Sequence, residues 1–494
     1  MPRQLGQKVF TRSGSGAEQM TAAMQATQMQ GQEREQEDRI SELPDHILMN
    51  ILDRFEEEPR NAVRTCVLSK RWRHIPGLLS IIVLDVAYYE ANSDYTDDEV
   101  AQANVSLVEA TKSILAHKSQ HTINYLSIKF YLRDESIDII RSVDNAMANR
   151  EVIKADFTII PEEPETSCIS GRRFMTFLDG YTRAFGGLTG LCLCCLRFSK
   201  FDMPNVLCAC KKLEHLILNR CDAGIGSVLQ IEHPQLSHLS IIYCACDRIE
   251  LNQLPRLTHL TCQSWRPSHD TYPLTFGYVP KLSVLILSSM SSVYHRNIRL
   301  SEFLRNVTIV NLDLNFQSRK IWIQPEATRP LAPLLRNLQM LRLRFIHEKC
   351  DLSWTMFILE AAPLLKEINI QVWDHVCNAN EEDMSREELQ MQQEFFKIES
   401  DHLSWEAHDF KHYNLSKLTI EGFQVEEKLK SYIRQVLKTA VNLELVALRK
   451  RRLCGKCRIR PSSMAYPQNE EQKDLIWTQI SDQISSNARI RFFP

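Results

Sequence analysis

Leu213-Glu214-His215-Leu216-Ile217-Leu218 sets apolar side chains at its first, fourth and sixth positions, and that spacing returns along most of the chain. Outward from it the copies run Leu188-Leu191-Leu193, Leu236-Leu239-Ile241, Leu257-Leu260-Cys262, Leu282-Leu285-Leu287, Ile309-Leu312-Leu314, Leu338-Leu341-Leu343 and Leu365-Ile368-Ile370. From Leu188 onward the steps are 25, 23, 21, 25, 27, 29 and 27 residues. Ile123-Leu126-Ile128, Leu415-Leu418-Ile420 and Leu443-Val446-Leu448 add further copies. The last two positions of each triplet are alternate residues, which a strand turns to one face, while the first packs the turn leading in. Pro234, Pro255, Pro280 and Pro363 each stand two residues ahead of a first position. There they stiffen the entry and stop a helix from running into the strand. No unit of this size buries its apolar face alone, so the copies must stack into one continuous parallel sheet.

The spacing and period resemble the leucine-rich repeat. That resemblance implies an α/β solenoid with a parallel sheet on its concave face. Cys221 and Cys244 fall eight residues after Leu213 and Leu236, where the repeat prefers Asn or Cys to satisfy backbone groups in the turn, so both read as structural. The outward strand residues read His215, Ile217, Asn219; His238, Ser240, Ile242; His259, Thr261, Gln263; and, further on, Asn311, Asp313, Asn315; Met340, Arg342, Arg344; Glu367, Asn369, Gln371. They form the expected target-binding surface. His215, His238 and His259 hold equivalent sites, so strands ~4.8 Å apart would stack them as a ladder. A ladder of this kind suits pH sensing or an anion; the plainer reading is three exposed polar residues, and both stay open. Arg342 and Arg344, next to Glu367, offer forks for a partner's carboxylate or phosphate, or else pair within the sheet.

Ahead of the repeats, Leu43, Ile47, Leu48, Ile51, Leu52 and Phe55 line one side of a helix, with Pro44 at a first helical position and Asp45 in the first turn. Pro59 breaks the chain, Ala62, Val63, Cys66 and Val67 give a second amphipathic stretch, and Ser69 can cap a third helix through Trp72 and Ile75. Three such helices make too small a core to stand alone. Leu43-Pro44, Ile47-Leu48, Ile51-Leu52 and then Val63 to Trp72 resemble an F-box in the version common in plants. The resemblance implies that Leu43, Pro44, Ile47, Leu48, Ile51, Leu52, Val67, Leu68 and Trp72 form or support a face that docks the Skp adaptor of a cullin ubiquitin ligase. The competing reading packs the same helices on the rest of their own chain, because periodicity does not separate internal from external burial.

The chain is 494 residues long and 44% hydrophobic, enough for an extended core. Its 59 Lys and Arg against 61 Asp and Glu leave a net charge of -2, which argues against nucleic-acid binding through a whole-protein field. No membrane span or secretory signal is visible, so the expected setting is cytoplasmic or nuclear and the 15 cysteines read as reduced thiols. Residues 1–37 are poor in large apolar side chains and read as disordered.

Asn378 to Asp401 carries eight acidic residues against Arg386 and Lys397 and reads as a solvated insertion. Leu415 to Phe423, an amphipathic helix through Leu429, Ile433, Val436 and Leu437, and Leu443 to Leu448 read as strand, helix, strand. That unit resembles the FBD region closing many plant F-box and leucine-rich-repeat proteins, and it is expected to cap the solenoid. Arg449, Lys450, Arg451, Arg452, Lys456, Arg458 and Arg460 follow as a nuclear-import or anion patch, or as solvated charge. The expected domains are 1–37 disordered, 38–84 F-box, 85–377 solenoid, 378–404 acidic insertion, 405–460 FBD-like cap and 461–494 tail.

Catalytic constellations are weak. Gly224-Ile225-Gly226 lacks the third glycine of a dinucleotide loop, His347-Glu348 lacks the second histidine of a zinc-protease helix, and Cys454-Gly455-Lys456-Cys457 has no matching second pair. Cys192, Cys194, Cys195, Cys208, Cys210 and Cys246 are expected to scatter over both faces of their strands. No cofactor, metal or catalytic residue is expected, and the resemblance implies a non-catalytic substrate receptor, with a protein-binding scaffold that delivers no target as the alternative.

Overall fold

The second and third positions of each apolar triplet lie on a strand and are buried. In chain order the strands are β1 (Ile81–Asp85), β2 (Ile123–Tyr131), β3 (Val152–Ile160), β4 (Gly190–Cys194), β5 (His215–Asn219), β6 (Val228–Ile231), β7 (His238–Ile242), β8 (Arg248–Gln253) and β9 (His259–Trp265), followed by β10 (Leu274–Tyr278), β11 (Val284–Ser289), β12 (Asn311–Asn315), β13 (Met340–His347), β14 (Glu367–Trp373), β15 (Lys417–Glu421), β16 (Leu445–Arg449) and β17 (Arg489–Phe493). Fourteen of them form one parallel sheet in the order β1-β2-β3-β4-β5-β7-β9-β11-β12-β13-β14-β15-β16-β17. β10, β8 and β6 form a second parallel sheet. The molecule, a computed structural model, describes residues 42–53, 79–89, 97–116, 122–162, 167–224, 226–265, 272, 274–289, 297–318, 321–374, 405, 409–454, 466–482 and 484–494. It is an α/β solenoid of leucine-rich repeats.

Register carries the core from strand to strand. Leu216, Leu239, Leu260, Leu285, Leu312, Leu341, Ile368, Leu418 and Val446 follow one another in a row, none more than 2% exposed. Leu218, Ile241, Cys262, Leu287, Leu314, Leu343, Ile370, Ile420 and Leu448 make the parallel row beside it. Burying each large side chain contributes ~1.5–3 kcal/mol before the chain entropy is set against it.

The opposite side is built in two ways. Some repeats return through helices, among them Asp202–Ala209, Thr328–Leu335, Met356–Ala361 and Glu427–Thr439. The steps of 23, 21 and 25 residues after Leu213, Leu236 and Leu257 return instead through β6, β8 and β10. A strand advances about 3.3 Å per residue and a helix about 1.5 Å, so an extended return covers the same distance with fewer residues. Helices pack ~8–10 Å apart, whereas the paired return strands keep the same spacing of about 4.8 Å as the main sheet.

Two backbone devices recur at fixed offsets. Cys195, Arg220, Tyr243, Phe345 and Gly422 each stand seven residues after the first apolar position of their repeat. All have positive φ, from 51° to 77°, and turn the chain off its strand. Only Gly422 needs glycine for space as well, since a Cβ there would lie 2.3 Å from the Val372 carbonyl oxygen. Three residues ahead of Leu236 and Leu415 sit His233 and His412, both buried. His233 Nε2 donates to Cys210 O at 3.0 Å and His412 Nε2 to Ala362 O at 2.9 Å. Nδ1 of each accepts a backbone N–H, from Gln235 and Leu415 respectively, which fixes the neutral Nε2–H form. Each ring thereby ties one repeat to the turn of the repeat before it.

The expected boundaries shift at both ends. Leu79-Ile82-Leu84 is itself a repeat triplet, and β1 pairs with β2, so the sheet begins inside the segment assigned to the F-box. Residues 461–494, expected as a tail, hold the helix Glu470–Ser481 and β17, which pairs with β16. The strand-helix-strand unit is present as β15, Glu427–Thr439 and β16. Contrary to expectation it does not close the sheet, because another helix and strand stack beyond it. Residues 1–37, 378–404 and 455–460, and the second and third headpiece helices with Val67, Leu68 and Trp72, lie outside the described residues.

Candidate functional site: the concave face and the first helix

The helix Asp45–Asp53 begins directly after Pro44, whose carbonyl accepts from the N–H groups of Ile47 and Leu48. Leu48 and Leu52 are buried and belong to the same apolar cluster as Leu79 and Ile82. Leu43, Ile47 and Ile51 are half-buried and Pro44 is exposed. Of the docking residues taken from the sequence, Leu48 and Leu52 therefore hold the helix in place, while Pro44 and the flanks of Leu43, Ile47 and Ile51 remain in reach.

On the concave face the histidines meet as their spacing predicts. His215 pairs in register with His238, and His238 with His259. Their ring centroids are 4.6 Å and 4.3 Å apart, the first pair edge-on and the second stacked within 11°. Ser237 Oγ and Thr258 Oγ1 lie 2.9 Å from Nδ1 of His238 and His259, engaging that nitrogen in each ring. Burial, then the neighbouring His259 and His215, pushes His238 below its ordinary value, against a smaller pull from Glu214. The middle rung thus resists protonation. At its head the row continues to Gly190 and Asp156. Gly190 leaves space for the Asp156 carboxylate, which a Cβ would meet at 2.5 Å, and Asp156 accepts from Tyr125 OH and Thr189 Oγ1.

From β4 to β11 the outward positions carry no Asp, Glu, Lys or Arg: beside the ladder they are Cys192, Cys194, Ile217, Asn219, Ser240, Ile242, Thr261, Gln263, Val284, Ile286 and Ser288. From β12 onward the charges return. The Arg344 guanidinium grips Asp313 with Nε to Oδ1 at 2.7 Å and Nη2 to Oδ2 at 2.5 Å. The hydrogen bond to Asp313 holds Arg344 above its ordinary value. Arg344 is therefore engaged within the sheet rather than open to an anion, and Glu367 faces Lys417 at 3.6 Å. Arg342 stays exposed. In the basic run, Arg451 is bound by Glu348 at 2.9 Å and Asp374 at 2.6 Å, and Arg449 lies 5.1 Å over the Phe493 ring.

The cysteines divide by position. The Cys221 thiol donates to Leu193 O at 3.3 Å and the Cys244 thiol to Leu218 O at 3.4 Å, the turn-satisfying role read from their place in the repeat. Cys192 and Cys194 share the concave side of β4 with their sulfurs 3.9 Å apart. The hydrogen bond with Cys192 holds the Cys194 thiol below its ordinary value against the opposing effect of burial, helped by Asn219, Lys129 and Arg220. Among the described residues no group of three His, Cys, Asp or Glu side chains is placed to hold a metal, and no helix is long and apolar enough to cross a membrane.

A long parallel sheet built from stacked Leu-x-x-Leu-x-Leu units is the architecture of a leucine-rich-repeat protein. The family described as At1g61320/AtMIF1, LRR domain, matches residues 181–476, and the chain belongs to it. Relatives from Arabidopsis thaliana agree. It is 27% identical over 225 residues to the F-box/FBD/LRR-repeat protein At2g04230, a match covering 42% of this chain and 47% of that one. It is 24% identical over 376 residues to the F-box/FBD/LRR-repeat protein At5g22660, covering 69% and 78%. A 61-residue match to the F-box protein At1g80960 is 44% identical and covers 12% of each. The chain spans about half the length of several of these relatives, 47% and 55% for At2g04230 and the putative FBD-associated F-box protein At5g56390. It is a plant-type F-box and leucine-rich-repeat protein with an FBD-like region.

Proposed function

We propose that the chain is the substrate receptor of a cullin ubiquitin ligase. Its first helices dock the Skp adaptor and its concave face holds a target protein, raising the target's local concentration beside the transfer machinery. The chain supplies position and no covalent chemistry. One observation carries the reading: Pro44 and Ile47 keep accessible surface on a helix anchored by Leu48 and Leu52, in the same chain as a charge-free strand surface centred on His238. Leu43, Pro44, Ile47 and Ile51 form the adaptor face, Leu48 and Leu52 support it, and Val67, Leu68 and Trp72 complete it. His215, His238 and His259 contact the target, with Arg342 at the margin and Arg344 positioned through Asp313.

The test compares target turnover in cells expressing the native chain or Leu43→Ala with Pro44→Ala. Proximity labelling with the double variant identifies the accumulated target. That target should be degraded with the native chain and persist with the variant; equal turnover in both would leave a binding scaffold instead of a receptor.

A further inference from the structure

The sheet ends, among the described residues, on a strand with one open side. Arg489 N donates to Glu444 O and Phe493 O accepts from Lys450 N, so Arg489, Arg491 and Phe493 direct their backbone groups to β16. Parallel ladders alternate, which leaves the N–H and C=O of Ile490 and Phe492 facing away from the sheet. Side chains divide the other way. Arg489 and Arg491 are exposed on the concave side with no ion pair among the described residues, and Arg449 lies one strand in. The nearest carboxylate in register, Glu421, stands opposite Arg449 on β15. Ile490 and Phe492 point to the core side and remain half-buried, Phe492 against Phe423 and Tyr466. In the helix Glu470–Ser481, Gln479 faces the preceding helix by bonding Lys430 and Arg434. Trp477, two residues away, is turned ~200° round and is 48% exposed on the flank that shares the open end.

We infer that this end is a strand-addition site for an extended segment of another protein in which acidic and apolar residues alternate. The acidic side chains would meet Arg489 and Arg491, the apolar ones would cover Ile490, Phe492 and Trp477, and the added backbone would pair with the outward groups of Ile490 and Phe492. A second copy fits poorly. Antiparallel pairing of two β17 edges would gather the arginines of both copies on one face. The site is distinct from the adaptor face and from the histidine ladder, and it goes beyond the receptor reading.

The test uses the full chain and a fluorescent peptide, Glu-Val-Glu-Val-Glu-Val-Glu, against a block peptide of the same composition. The alternating peptide should bind and slow amide exchange at Ile490 and Phe492 by roughly tenfold or more, leaving Arg489 and Arg491 unchanged because they already bond β16. Arg489→Glu with Arg491→Glu, folded by circular dichroism, should weaken binding by roughly tenfold or more. Equal binding of both peptides without protection would reduce the site to a charged surface and overturn the inference. So would no binding, or dimers of the native chain in sedimentation that dissociate in the arginine variant.

Discussion

The Cys221 thiol, eight residues after Leu213, donates to the Leu193 carbonyl and ties the turn of its repeat to the strand before it. We expect Cys221→Ala to cost about 1 kcal/mol by leaving Leu193 O short of a donor, and Cys221→Asn to restore most of it, read as denaturant midpoints. Gly422 was legible only as a glycine; its positive φ and the carbonyl of Val372 against it come from the fold, and Gly422→Ala should destabilise by about 1–3 kcal/mol. His233 and His412 share an offset of three residues before a first apolar position, but that spacing does not by itself separate a buried joint from a surface histidine. Burial lowers both from the ordinary 6.5, and lowers His347 to about 4. The unfolded chain then binds these protons before the folded chain does, so their contribution to stability is complete above about 6.5 and falls as pH drops through the window from about 6.5 to about 4. Thermal melts should show that loss, with a shallower slope for His233→Gln plus His412→Gln; parallel slopes would contradict the joint role.

Elements were legible where three apolar positions were all large. The central strands, from β4 to β16 on the main sheet, follow the triplets, and the ladder of histidines followed from register alone. β3 escaped notice because Ala155 fills its middle apolar place, and β17 because Asn487 stands where its leading leucine would be. β1 was hidden by its closeness to the helical headpiece. The return strands β6, β8 and β10 carry no triplet, and repeat length does not mark them, since the 25-residue repeats from Leu188 and Leu257 return through a helix and a strand respectively. The pairing of Arg344 with Asp313 was equally beyond the sequence, which offered Glu367 as a nearer partner. On the last strand, Phe492→Ala should loosen β17 before the rest of the sheet. Exchange at the Leu448 amide, which donates toward β17, would rise while Leu418 and Leu341 stay protected. Uniform loosening would show instead that the last strand is welded into one cooperative unit.

At the scale of the molecule, one apolar cluster runs from Leu48 in the first helix to Ile480 in the last. That continuity joins the sheet to the helix at Pro44. The proposed receptor role needs such a connection, because transfer depends on holding a target at a set distance from the machinery. The anchoring of Leu48 and Leu52 was not readable from periodicity, which treats every position of an apolar stripe alike. It narrows the proposed adaptor face, within the first helix, to Leu43, Pro44, Ile47 and Ile51. The most direct measurement is binding of the purified full chain to a purified Skp adaptor. The account predicts a complex that Pro44→Asp with Ile47→Asp weakens roughly tenfold or more and that His238→Glu leaves intact. Absence of binding by the native chain, or undiminished binding by the Pro44 and Ile47 variant, would contradict it.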